Sequence, residues 1–449
     1  MTDAAARFEL PDAAVLEPWV RRALDAAAKG GATQAEATVS VSRGLSLSVR
    51  KGDVESVEFH HDRDLGLTVY FGQRSGSAST ADLSERGLAE AVAAACAIAK
   101  ASGEDPCSGL ADANRMAQGP FPDLDLDHPW AVTTDEAIDL ARQCEAAALA
   151  VKGVTQSEGA SLHSSRGIEL YANTHGFLGA RTGANHYVSC AAIAGEGETM
   201  QRDDWYTSAR HPGDLEAPAA VGRRAGERAI ARVGAKAITT RKAPVLYVPD
   251  LARSLFGHFL GAISGGSLYR KASFLLDREN TPVFAPGVRL TQHPFIKRGS
   301  GSASYDQEGV ATFNRVMVDD GVLKGYVLGS YSARKLGRET TGNAGGVYNL
   351  VVEPGTRSFE ELLALMGEGL VVTELMGQGV STVTGDYSRG AAGFWVANGR
   401  IAQPVQEVTI AGNLDEMFRS IKAIGADVDT RGSIRTGSVL IEPMTIAGK

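Results

Sequence analysis

The 449-residue chain is short of several things, and each shortage narrows what it can do. Cysteine is scarce: Cys96, Cys107, Cys144 and Cys190 are widely spaced, with no CxxC pair. Cys96 and Cys144 fall in Ala-rich helical stretches, where a free thiol packs as a small core group, and a reduced cytoplasmic compartment is expected. Positive charge is in deficit. The formal net charge is -8, which disfavours nucleic acid, because that affinity rests on Lys and Arg meeting phosphates. No apolar run approaches the ~18 residues of a membrane span. The opening MTDAAARFEL places an acid where a signal peptide needs a basic stretch, and no long apolar run follows. Paired histidines are missing too. His60, His61, His128, His163, His175, His186, His211, His258 and His293 include no two that lie three to five residues apart, and no His-Glu dipeptide occurs. A hydrolytic zinc site carried on one helix is therefore excluded, whereas one assembled from distant histidines is not.

What is present reads as α+β. A helix from Ala14 to Lys29 is followed by period-two alternation from Ala35 to Thr80, with turns expected at Arg43-Gly44 and Lys51-Gly52-Asp53. A helix from Leu83 to Ala101 closes this unit. After an acid- and Pro-rich linker (Gly119 to Pro129) the order repeats. Thr133 and Glu136 offer a capping box for a helix reaching about Val151. Short strands are expected at 159–165, 167–173, 177–185 and 188–195, then a stretch at 198–209 and a helix from Glu216 to Val233. Helix, meander, helix thus occurs twice, and two related layers are expected. The predicted domains are residues 1–235, subdivided at about 1–118 and 130–235, and a β-rich domain at 240–449.

The second domain opens on a buried strand, Val245 to Val248, with Asp250 placed to cap a helix running to about Ser264. Strands are expected at 310–318, 322–327, 347–352, 371–374 and 380–383, and short helices at 330–336, 358–366 and 413–424. The most informative stretch is Thr384 to Leu414. Gly393 to Val396 is a β-forming run, Asn398-Gly399 is a type I′ hairpin signal, and Val405 to Ile410 alternates on the return. Asn413 can cap the helix that follows. Strand alternation sends one of Phe394 and Trp395 to the core and leaves the other for a partner.

Ahead of this hairpin, Asp386, Tyr387, Ser388, Arg389 and Gly390 read as a charged turn. With Gly265, Gly266 and Ser267 after the expected helix, and with Asp306, they are the candidate ligand-binding residues, because glycine lets another backbone approach closely. An internal Asp386–Arg389 ion pair is the equally open structural account. Ala262-Ile263-Ser264-Gly265-Gly266 imitates a nucleophile elbow, but it lacks the first Gly and follows a helix rather than a strand.

The segments GDYSRGAAGFWVANG and PVQEVTIAGNL resemble the C-terminal signature of the PmbA/TldE proteins, the metal-free branch of the TldD/PmbA family, also named modulators of DNA gyrase. The resemblance implies that the catalytic branch carries an HEXXXH helix over Gly257 to Ala262. Gly257 and Ala262 then stand where ligand histidines would be, and His258 where the catalytic glutamate would be. A C-terminal Cys ligand is missing as well. The implied role is a non-catalytic subunit of a cytoplasmic metallopeptidase complex. It would have no metal, no cofactor and no catalytic residue of its own, and would bind unfolded peptides beside a TldD-like zinc subunit. A homodimer is the alternative for the isolated chain. A regulator acting on a client protein is the alternative function.

Overall fold

The computed structural model describes residues 9–449; the stretch 1–8, on which most of the signal-peptide reading rests, lies outside the described residues. The first half contains α1 (Ala13–Lys29), β1 (Gln34–Arg50), β2 (Asp53–Phe71), β3 (Arg74–Thr80), α2 (Glu85–Ala101), α3 (Thr134–Leu149), β4 (Val154–Asn173), β5 (Leu178–Ala194), β6 (Gln201–Ala209) and α4 (Pro218–Ala231). The two meanders do not form two layers. They join edge to edge through an antiparallel β1–β4 pairing into one six-stranded sheet, ordered β3-β2-β1-β4-β5-β6.

Alternation decides what each face of this sheet meets. Along β1 the odd residues Ala35, Ala37, Val39, Val41, Leu45, Leu47 and Val49 are buried. The first four pack with α1 and α2, the last three with α3 and α4. One apolar face thus carries all four helices, while the even face is polar and half-buried. The expected capping box at Thr133 and Glu136 is present at the start of α3.

Several expected turns are absent. Arg43-Gly44 lies mid-strand in β1; its glycine serves close approach, since a Cβ there would come 3.1 Å from Ser164 O on β4. The four short strands expected between 159 and 195 are two long ones, β4 and β5. The chain reverses between them at 174–177, and Gly167 stays in the ladder opposite Gly183. The turn at Lys51-Gly52 is real, with φ of 55° and 79°.

The second half contains β7 (Arg241–Tyr247), α5 (Pro249–Ala262), α6 (Gly265–Tyr269), β8 (Leu290–Gln292), β9 (Arg315–Asp319), β10 (Val322–Leu323), α7 (Ser330–Lys335), β11 (Leu350–Val352), α8 (Phe359–Met366), β12 (Gly369–Met376), β13 (Asp386–Ala397), β14 (Arg400–Asn413), α9 (Leu414–Arg419), β15 (Ile421–Ile424), β16 (Ile434–Arg435) and β17 (Val439–Ala447). They form two sheets, β14-β13-β12-β7-β17-β15 and β10-β9-β8-β11-β16. The largest apolar cluster links them through α5, with Phe256, Phe259, Phe284 and Phe418 stacked or edge-on at its centre.

The Asn398-Gly399 turn has both φ values positive, 52° and 71°, as a type I′ hairpin requires. Asn413 caps α9, its side chain accepting from Asp415 N. Four expectations fail here. Asp250 is not the cap of α5: Val248 holds that position and Pro249 is the first helical residue, where its missing N–H is no loss. Residues 380–383 form no strand beyond a single bridge, Val380 with Tyr387. The helix expected over 413–424 ends at Arg419, and Ile421–Ile424 joins the sheet beside β17, because its branched residues have a partner strand to bury against. Neither aromatic of the hairpin is left free. Trp395 packs in the main cluster with Arg241 over its ring, and Phe394 packs on the opposite side against the Leu246, Val371 and Val396 cluster.

Candidate functional site

The polar face of the first sheet does not meet open solvent everywhere. Between it and the loops of the second half lies a cavity of about 1010 Å³. Glu36, Thr38, Thr68, Ser77 and Tyr171 line it from the sheet, and Gly265, Gly266, Tyr305, Asp306, Glu308 and Asn343 from the other side. Period-two alternation positions the sheet's contribution: Glu36 and Thr38 are the even residues whose odd neighbours hold the core.

Three of the candidate residues therefore come together here: Gly265, Gly266 and Asp306. Gly265 has no room for a side chain, since a Cβ would lie 2.2 Å from Ser332 Oγ, and this contact sets α6 against α7. Asp306 is fully buried, and its carboxylate is already engaged. Oδ1 accepts from Glu308 N and Val310 N at 2.9 Å each, and Oδ2 from Ala344 N at 2.9 Å. Burial pushes its pKa up to about 6 against these hydrogen bonds. Asp306 shapes the wall rather than offering a free carboxylate. Ser267 does not line the cavity; its Oγ donates to Gly261 O at 2.9 Å and holds the α5–α6 junction.

Sequence reasoning placed Asp306 and Glu308 beside this cavity but missed Glu36 and Arg181. Glu36 accepts from Tyr171 Oη at 2.7 Å and Tyr70 Oη at 3.2 Å, and burial raises its carboxyl above the usual range in spite of both. Glu308 accepts from Ser330 N, at the start of α7, and its charge adds to the effect on Glu36. Arg181 donates to Tyr305 O and Asp306 O and lies 4.0 Å over the Tyr305 ring. The available signal was Glu36 itself, an acid on the polar phase of an otherwise Ser/Thr strand.

The second group of candidates lies elsewhere. Residues 386–390 are not a turn: β13 begins at Asp386, and the chain reverses just before it, where Gly385 has φ 81°. Alternation splits the group between two faces. Asp386 and Ser388 are exposed. The Asp386 carboxylate accepts from Thr384 Oγ1 at 2.6 Å and, at 3.5 Å, from Asn413 Nδ2. Gly390 lets the β12 strand close in at Met376, 3.3 Å from where its Cβ would be. Tyr387 and Arg389 face the other way, toward α5. Tyr387 is 1% exposed, and its ring centroid is 6.2 Å from that of His258. Among the described residues no ion pair joins Asp386 to Arg389, so the internal-pair account fails for a geometric reason: the two side chains leave opposite faces of one strand.

On α5, Gly257, His258 and Gly261 make a half-buried face, while Ala262 is fully buried in the core. His258 is the only titratable side chain among them. Burial and the nearby Arg389 cation hold its imidazole below the usual pKa range. Among the described residues no three His, Cys, Asp or Glu side chains converge as metal ligands would. A catalytic metal does not fit the donor set around α5.

Three family models cover the chain: the PmbA/TldA metallopeptidase domain 1 over residues 35–99, the central domain over 127–233 and the C-terminal domain over 240–448. The chain belongs to the PmbA/TldD family. It is 48% identical over 436 residues to the metalloprotease PmbA of Escherichia coli O157:H7, covering 97% of this chain and 96% of that one. Among solved structures, a Bacteroides thetaiotaomicron protein named for modulation of DNA gyrase superposes with a TM-score of 0.92 at 29% identity, over 96% of this chain and 99% of its own. TldE from Thermococcus kodakarensis shares the fold, with a TM-score of 0.83 at 20% identity over 96% of this chain and all of its own. No helix among the described residues is long and apolar enough to cross a membrane.

Proposed function

We propose that this chain is the metal-free, peptide-binding subunit of a two-subunit cytoplasmic peptidase, with zinc chemistry supplied by a TldD-like partner. The observation that carries the reading is α5. In the alignment implied by the family resemblance, Gly257, His258 and Ala262 occupy the HEXXXH positions, and none of them is joined by further metal ligands. The cavity bounded by Gly265, Gly266 and the Asp306 loop, together with the β13 face carrying Arg389, supplies the peptide-binding surface. An extended peptide adds to such a surface largely by main-chain hydrogen bonds.

The test has two parts. Purified, tag-free chain is expected to hold no stoichiometric zinc or iron by elemental analysis and to cleave no peptide. Chelator-sensitive cleavage is expected once a TldD-like subunit is added. Robust cleavage by the chain alone, or one tightly bound metal per chain, overturns the proposal. A second reading, a regulator acting on a client protein, draws support from the gyrase-modulator name of the solved relative. Co-purification with a zinc subunit rather than with a client separates the two.

A further inference from the structure

We propose that Arg389 and His258 form a carboxylate site on the half-exposed face of α5, taking the C-terminal carboxylate or an acidic side chain of a peptide. The proposal rests on two features that need a common explanation. Arg389 is half-buried with a dry Nε, yet it makes no ion pair and no side-chain hydrogen bond among the described residues. His258 Nε2 is likewise buried without a partner. Two polar atoms, Arg389 Nε and His258 Nε2, are thus left unsatisfied on facing parts of β13 and α5. A native fold rarely tolerates this unless something else satisfies them.

The charge decides the class of ligand. Arg389 is the charged neighbour that acts on His258, and among the described residues no carboxylate is paired with it. A guanidinium that has lost part of its water and has no counter-ion is costly, and it is matched best by a planar, bidentate anion. The imidazole is neutral at pH 7, because burial and Arg389 both oppose protonation. In its Nε2–H tautomer it can donate a further hydrogen bond to the same anion. A Cβ on Gly257 would find no atom nearer than Ile434 at 4.0 Å, and one on Gly261 none nearer than Thr382 at 3.9 Å. Both are ordinary van der Waals separations, so a methyl-sized group fits against α5 at either glycine.

This deepens the peptide-binding reading and takes from it the choice of ligand, but the measurement needs no partner subunit. The full chain is titrated with N-acetyl-Ala-Ala, with its C-terminal amide, and with N-acetyl-Asp amide. The readout is the NMR signal of the His258 ring, assigned by its loss in His258→Gln. The expected result is that a free carboxylate moves the ring signal and the neutral amide does not. Whichever acid acts, terminal or side-chain, names the source. Arg389→Gln is expected to weaken binding about tenfold or more, and Arg389→Lys by less, because the ammonium keeps the charge but loses the fork. Equal effects of acid and amide, or no movement of the His258 signal with either acid, overturn the site. The acid-against-amide comparison uses the native chain, so it stands even if a variant fails to fold. A negative result here would leave complex formation with a zinc subunit untouched, and a chain with no such partner could still show the carboxylate effect.

Discussion

Glu145 of α3 holds the Lys51-Gly52 turn of the neighbouring hairpin: its two carboxylate oxygens accept from Lys51 N and Gly52 N, each at 2.8 Å. The side chain is 1% exposed. Through this contact a helix of the second repeat fixes a turn of the first.

Two charge-assisted hydrogen bonds from backbone N–H groups to a buried carboxylate are strong ones. Glu145→Ala is expected to lower stability by about 2–4 kcal/mol, and Glu145→Gln by less, since the amide keeps one acceptor oxygen. Chemical denaturation of the full chain, followed by circular dichroism, measures both. A loss below the error of the measurement would mean that water replaces Glu145 at the turn.

Gly222 on α4 sits directly against the α3 main chain. A Cβ there would lie 1.7 Å from Cys144 O, which is main chain and has nowhere to go. Gly222→Ala is expected to push the two helices apart and cost about 3 kcal/mol or more, at the upper end of overpacking effects. A melting temperature within a degree or two of the native chain would contradict this packing.

Asp306 gives a pH signature. Its pKa rises from 3.8 in the unfolded chain to about 6 in the fold, so the folded state keeps the proton longer. Stability from this group is greatest below the unfolded value, falls as pH rises from 3.8 to about 6, and is level above that. Asp306→Asn is expected to abolish this slope. It is also expected to destabilise the chain at pH 7 by about 1–3 kcal/mol, because the new NH2 must face a backbone N–H that the carboxylate had satisfied. Denaturation midpoints across this pH range, for both chains, test the two effects together.

Arg389→Ala is expected to leave the single chain folded, since no ion pair is lost among the described residues. It is expected to lower the activity of the reconstituted peptidase about tenfold or more, some 1.4 kcal/mol of binding or positioning. Thermal unfolding of the single chain, read beside activity of the complex, checks it. A destabilised chain in a normally active complex would make Arg389 structural.

Much of this was legible in the sequence wherever a local rule governed. The capping box at Thr133, the type I′ turn at Asn398-Gly399 and the cap at Asn413 each depend on a few adjacent residues, and each forms. The expectations failed where tertiary contact overrode a local signal. Gly44 looked like punctuation but serves close strand approach, and Gly167 simply continues its ladder. Ile421–Ile424 looked helical until β17 offered it a ladder. The separation of Asp386 from Arg389 follows from strand alternation, which a turn assignment had hidden. Glu36 and Glu308 reach one cavity through packing of the first sheet against the loops of the second half, and no local pattern announces that.

The shared sheet has a consequence for how the protein is made. β1 and β4 are the two central strands of the first half, and each covers the other's open edge. While the chain emerges from the ribosome, β1 is finished long before β4 exists. In that interval its free ladder, flanked by Val and Leu, is a template for any extended neighbour, including β1 of another nascent copy. A chain cut in the linker before α3 would keep that edge permanently exposed, and its natural fate is pairing with itself.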